Sequence, residues 1–218
     1  LTTTQTQPPT RKYALALHTT TPELGLAISN FAADTRSQVW NLGHDLSSHI
    51  HQYLIDFIKP QTWADLGFIA VAQGPGGFTG TRIGVVTART LGQQLEIPVF
   101  TVSTLAAVAW TEIKKTQQIQ PIAVEMPGQR GKVFGAIYQF NADNSGLKTL
   151  LLDTVFTPEI WQETLNNWSN SYQLILAKSD LAATVTSILE LADFEWQQGK
   201  RPNWATALPY YGQHPVDV

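Results

Sequence analysis

Short apolar runs open the chain. Tyr13 to Leu17 alternates small and large apolar residues, then breaks at His18-Thr19-Thr20-Thr21-Pro22. Residues 24–30 and 37–42 form two further runs, and the tight spacing predicts antiparallel hairpins rather than crossovers. From residue 46 the period changes. Leu46, Ile50, Tyr53, Leu54, Phe57 and Ile58 recur at three and four, which predicts a helix with one broad apolar stripe. Asp45 or Ser47 is its candidate cap, and Pro60 ends it. A buried strand over 66–72, a helix over 81–95, a strand over 97–102 and a helix from Ser103 or Thr104 to about 115 follow. Strands and helices in alternation predict a partly parallel sheet.

The second half is less regular. It predicts strands over 122–125, 132–140 and 147–152, with turns at 127–131 and 141–146. A helix over 158–168, a strand over 172–177 and a helix over 181–191 come next. The rhythm divides the chain into a flexible tail (1–11), an N-terminal lobe (12–104), a smaller C-terminal lobe (105–200) and an extension packing on the lobes (201–218).

Composition narrows the function classes. The 218 residues are 43% hydrophobic and include seven Trp and nine Phe, enough for a sizeable core and too apolar for disorder. With no cysteine, disulfides, thiol catalysis and thiolate metal sites are excluded. The balance of 14 basic and 17 acidic residues argues against an autonomous nucleic-acid binder. His18, His44, His49, His51 and His214 show no recognised ligand spacing, so no metal site is expected. No run reaches the roughly 20 apolar residues of a membrane span. Residues 1–10 lack the basic flank and apolar core of a secretory signal, and the expectation is a soluble cytoplasmic protein.

The densest local signal is Gly74-Pro75-Gly76-Gly77-Phe78-Thr79-Gly80, placed between a strand and a helix, with Arg82 just beyond. A helix N-terminus presents free N–H groups to an anion, so a phosphate-binding loop is one reading. The other is a sharp strand–helix connection packed beside a neighbour. Neither a Gly-Lys-Ser/Thr nor the dinucleotide glycine spacing is present.

Residues 68–84 read Phe-Ile-Ala-Val-Ala-Gln-Gly-Pro-Gly-Gly-Phe-Thr-Gly-Thr-Arg-Ile-Gly, and residues 13–20 read Tyr-Ala-Leu-Ala-Leu-His-Thr-Thr. With 88–91, Ile97-Pro98, 102–106, Gly-Lys-Val-Phe at 131–134 and Leu-Pro-Tyr-Tyr at 208–211, these segments resemble the bacterial TsaB family. That family, also called YeaZ and glycoprotease-like, serves tRNA threonylcarbamoyladenosine biosynthesis. The resemblance implies an α/β, two-lobed actin-like ATPase (ribonuclease H-like) fold with mixed sheets and flanking helices. It also implies a protein stripped of most catalytic and nucleotide-binding equipment. The implied partners are a TsaD-like catalytic subunit, which transfers threonylcarbamoyl to N6 of adenosine 37 in tRNAs reading codons that begin with A, and a TsaE-like ATPase. ATP and magnesium would belong to that complex, tRNA would be met only through it, and a homodimer would form in isolation. His18 and Glu125 stand where the family has Asp, and residues 126–129 depart from its pattern.

Joined to the helical stripe, the resemblance makes Ile50, Tyr53, Leu54 and Phe57 the expected partner contacts on the first helix. Ile83, Thr87, Thr90 and Leu91 are those on the second, with Gly84, Ala88 and Gly92 allowing close helix approach. No catalytic residue is expected. The alternative is a degenerate nucleotide-binding phosphotransferase or hydrolase using residues 74–80 and Arg82. A peptidase finds no His-x-x-x-His site.

Overall fold

The computed structural model describes residues 13–117, 119–141 and 146–212. The tail expected over 1–11, most of the turn at 141–146 and residues 213–218 lie outside the described residues.

The chain builds two mixed β-sheets with flanking helices. The first sheet contains β1 (Tyr13–His18), β2 (Glu23–Ser29), β3 (Thr35–Asn41), β4 (Leu66–Gly74) and β5 (Val99–Ser103), in the order β3-β2-β1-β4-β5. The hairpins expected from tight spacing are there, with β1–β2 and β2–β3 antiparallel and Leu17 opposite Leu26. Both crossovers make parallel pairs, β1–β4 and β4–β5. The second sheet contains β6 (Ile122–Pro127), β7 (Val133–Phe140), β8 (Leu147–Phe156) and β9 (Gln173–Leu176), in the order β8-β7-β6-β9. Only its β6–β9 pair is parallel.

Alternation in β1, β2 and β4 sorts side chains by size. Leu15, Leu17, Leu26, Ile28, Ile69 and Val71 point to one face. There α1 (Leu46–Phe57) and α2 (Phe78–Leu95) cover them. Each such fully buried aliphatic side chain contributes about 1.5–3 kcal/mol. Ala14, Ala16, Ala27, Ala70 and Ala72 occupy the other face, where their small size lets α5 (Val185–Gln197) lie close through Val185, Ile188 and Leu189. Between the sheets, α3 (Thr104–Thr116) packs on β6 and β7, and α4 (Pro158–Asn166) covers the outer face of the second sheet through Trp161 and Leu165. The layers therefore run helix, sheet, helix, sheet, helix.

Local chemistry explains most boundaries. The Ser103 hydroxyl accepts from the N–H groups of Leu105 and Ala106 and caps α3. Thr157 caps α4 ahead of Pro158. Several expected boundaries shift; β8 runs on to Phe156 and α4 stops at Asn166, and three other shifts have a local reason. α2 begins at Phe78 rather than 81, because Gly77 is its cap. The strand expected from 97 starts at Val99, since Pro98 has no N–H and Ile97 donates to the Gly92 carbonyl. The helix expected over 181–191 is a 3₁₀ turn, Leu181–Thr184, followed by α5, which continues to Gln197. Its extra turns are held by Phe194 edge-on to Trp110 and Trp196 against Phe68, with ring centroids 5.2 and 5.0 Å apart.

Candidate functional site

The glycine-rich turn between β4 and α2 is filled by its own chain. Gly74 takes φ +107°, a backbone conformation that favours glycine. Beyond it, the 18–21 turn presses into the glycines. A Cβ would lie 2.4 Å from the Thr20 carbonyl oxygen at Gly76, and 2.2 Å from that of Thr19 at Gly80. The Gly77 N–H donates to the Thr20 carbonyl at 2.7 Å, and the Thr19 hydroxyl donates to the Gly80 carbonyl at 2.7 Å. Thr104 donates to the Thr20 hydroxyl, and Thr19 and Thr20 are both buried. Phe78 leaves the turn to pack on Tyr211. Pro75 belongs to the same turn and Thr79 to the first turn of α2, whereas Arg82 points away into a groove on the helical face.

His18 closes β1 opposite Gly25, on the alanine face beneath α5. It is fully buried, and neither ring nitrogen has a hydrogen-bond partner among the described residues. Burial pushes its pKa down to about 3, so the ring is neutral. A magnesium-bound phosphate does not fit this corner. The residue at the end of the first strand is a buried neutral imidazole rather than a hard oxygen ligand, and the glycine cradle is occupied by Thr19 and Thr20. At the second turn, Glu125 accepts from the Trp161 indole N–H at 2.8 Å, which ties β6 to α4. Arg130 sits in the left-handed region at φ 52°. Among the described residues, no group of three His, Asp or Glu is arranged to hold a metal ion.

The open feature lies between α1 and α2, an apolar groove of about 560 Å³. Six of the eight expected contact residues line it: Ile50, Leu54, Ile83, Thr87, Thr90 and Leu91. Tyr53 and Phe57 do not. Tyr53 packs against Trp40 at 4.9 Å, and Phe57 meets the same ring edge-on. Ile50 and Leu54 form the floor, since both are buried in the core under the sheet. The stripe Gly84, Ala88 and Gly92, expected to allow close helix approach, faces inward instead. A Cβ at Gly84 would lie 2.1 Å from the Thr19 hydroxyl, and one at Gly92 2.4 Å from Val99. Small residues here let α2 approach its own sheet.

The walls were missed from sequence. Ile55 is 46% exposed and Val86 is 50% exposed. They belong to two i, i+4 rows, Ser47–His51–Ile55 on α1 and Arg82–Val86–Thr90 on α2, which face each other across the groove. The signal that marks them is an apolar residue standing outside the main stripe of each helix.

A second cavity, of about 580 Å³, opens between the sheets. It holds a half-buried polar cluster that brings together residues far apart in the chain. Ser103 and Tyr138 each donate to the Asp153 carboxylate, and the Tyr210 hydroxyl donates to the Asp153 carbonyl at 2.7 Å. Burial raises the Asp153 pKa, opposed by the bonds from Ser103 and Tyr138. Burial, then the Asp153 charge, holds the Tyr138 phenol well above its ordinary value. The cluster joins the start of α3, the second sheet and the C-terminal segment.

Residues 52–187 match the TsaD family, tRNA N6-adenosine threonylcarbamoyltransferase. A Bacillus subtilis tRNA threonylcarbamoyladenosine biosynthesis protein TsaB is 37% identical over 117 residues, which is 53% of this chain and 48% of that protein. A Buchnera aphidicola TsaB is 39% identical over 83 residues, 37% of this chain and 38% of that protein. The match thus spans about half or less of these relatives' length. A Pseudomonas aeruginosa crystal structure, of a protein similar to the peptidase YeaZ, superposes with a TM-score of 0.77 at 21% identity. It covers 93% of this chain and 100% of that one, and shows the same fold.

Proposed function

The chain belongs to the TsaD family of tRNA N6-adenosine threonylcarbamoyltransferases and closely matches TsaB and YeaZ proteins, and from that membership we propose that it is a non-catalytic scaffold and activating subunit. The reaction it serves is threonylcarbamoyl transfer to N6 of adenosine 37, in tRNAs that read codons beginning with A. One observation carries this reading: a filled glycine turn beside an open apolar groove. The turn leaves no phosphate cradle, and the groove offers a docking face. Burying Ile55 and Val86 against a partner would contribute about 1.5–3 kcal/mol each before the costs of association.

In this reading a TsaD-like catalytic subunit docks on α1 and α2, and a TsaE-like ATPase joins the assembly. ATP and magnesium serve that complex, tRNA is met through it, and the protein works in the cytoplasm. The two sheets are the cores of two lobes, 12–104 and 105–200, of an actin-like arrangement, with 201–218 packed on them. Reconstitution of the modification on tRNA, with and without this chain, tests the proposal. Product that forms only when the chain is added, with none from the chain alone, supports it. Undiminished product without the chain overturns it. Tight magnesium-dependent ATP binding by the isolated chain in calorimetry would restore the nucleotide-enzyme alternative.

A further inference from the structure

The cavity between the sheets shares no residue with the docking groove, and the role proposed above makes no use of it. Its volume of about 580 Å³ lies within the range of small-molecule sites. Strands β5, β7 and β8 and helix α5 all contribute walls, so an occupant would touch both sheets.

Asp153 is half-buried in this cavity, and its carboxylate is held in place. The Ser103 hydroxyl, itself fixed by the N–H groups of Leu105 and Ala106, donates to one oxygen. The Tyr138 hydroxyl donates to the other, and Tyr210 donates to the carbonyl of the same residue. A carboxylate offers about four acceptor positions, so each oxygen keeps capacity for a further donor. Among the described residues no cation pairs with it. Lys200, the base in the lining, lies 2.9 Å from Glu195 and is neutralised there. With Lys200 and Glu195 cancelling, Asp153 leaves the lining with a net negative charge. Burial raises its pKa, as expected of an anion held without a countercharge.

The rest of the lining suits the same kind of guest. The rings of Tyr138, Phe194 and Tyr210 supply aromatic surface, which attracts cations as well as apolar groups. Val102, Leu147 and Leu191 supply aliphatic surface for an apolar body. An anion would meet the Asp153 charge uncompensated and be repelled.

We propose that this cavity binds a small organic cation, with an ammonium or amidinium group paired to Asp153 and an apolar body against the aromatic and aliphatic walls. The probe is benzamidinium, with benzoate as its anionic counterpart of similar shape. Each is titrated into the full chain and followed by amide NMR. Benzamidinium should shift resonances of β5, β8 and α5 with a Kd of about 1 mM or tighter, and benzoate should leave them unmoved. Asp153→Asn keeps the shape, removes the charge and should weaken benzamidinium about tenfold or more. Thr149 is exposed and lines the cavity. Thr149→Arg sets a like charge at the mouth and should weaken the probe similarly.

Circular dichroism checks that the variants fold. No shifts in β5, β8 and α5 up to about 10 mM benzamidinium would overturn the inference. So would equal binding of benzoate, or shifts confined to α1 and α2, which would seat the probe in the docking groove. A folded Asp153→Asn that binds benzamidinium as tightly as the wild type overturns it too. Should that variant fail to fold, undiminished binding by Thr149→Arg does the same.

Discussion

Replacing His18 with leucine removes an acid sensitivity whose size follows from burial. The ring is fully buried and unpartnered, and its pKa is held down to about 3 against an ordinary value of 6.5. The unfolded chain therefore takes up a proton, as pH falls below 6.5, that the folded chain refuses. A depressed folded value means that this stability is complete above 6.5 and is lost progressively as pH falls toward 3. Between about pH 7 and pH 5 the loss comes to about 2 kcal/mol, and any folded value below about 4 gives nearly the same figure. That is a large share of a typical total of about 5–15 kcal/mol. His18→Leu abolishes the titration and two unsatisfied nitrogens. The variant should gain about 1–3 kcal/mol at neutral pH and lose this part of the acid dependence. Urea unfolding followed by tryptophan fluorescence, from about pH 8 down to about pH 5, measures both effects. Wild-type and variant stabilities that run parallel with pH would refute the reasoning, because the imidazole would then be paired or hydrated in the fold.

Leu54→Asp places a carboxylate where only 2% of the side chain is exposed, so it should unfold the protein in thermal melts rather than yield a folded monomer that has lost its partner. Gly84→Ala drives a Cβ to within 2.1 Å of the Thr19 hydroxyl. It should cost about 1–3 kcal/mol in urea unfolding, and a neutral result would mean that α2 shifts freely on the sheet. The Asp153 pKa is raised in the fold, so its contribution is full below the ordinary 3.8 and lost as pH rises through the folded value. Asp153→Asn should remove that loss, visible as a smaller fall in stability as pH rises above 3.8, and an unchanged profile would contradict the assignment.

The local pattern of the chain determined a good deal. Alternation across 13–29 placed the hairpins, and the 46–58 period placed α1. Ser103 and Thr157 marked helix starts through their own hydroxyls. The string at 74–84 pointed to a family because close packing leaves so few residues that fit there: Gly76, Gly80 and Gly84 each face backbone or hydroxyl atoms of Thr19 and Thr20. Whether that turn held a phosphate or its own chain was decided only when the fold brought residues 18–21 against it. Periodicity says which side of a helix is apolar, not what covers it. So it named Ile50 and Leu54, which face the sheet, and passed over Ile55 and Val86, which form the walls of a groove that exists only once α1 and α2 lie side by side. The same holds for Ser103, Tyr138, Asp153 and Tyr210, whose meeting depends on two sheets and a returning C-terminal segment. Spacing along the chain encodes short-range geometry. Charge, burial and exposure at a site are sums over neighbours distant in sequence, and only the tertiary structure supplies those neighbours.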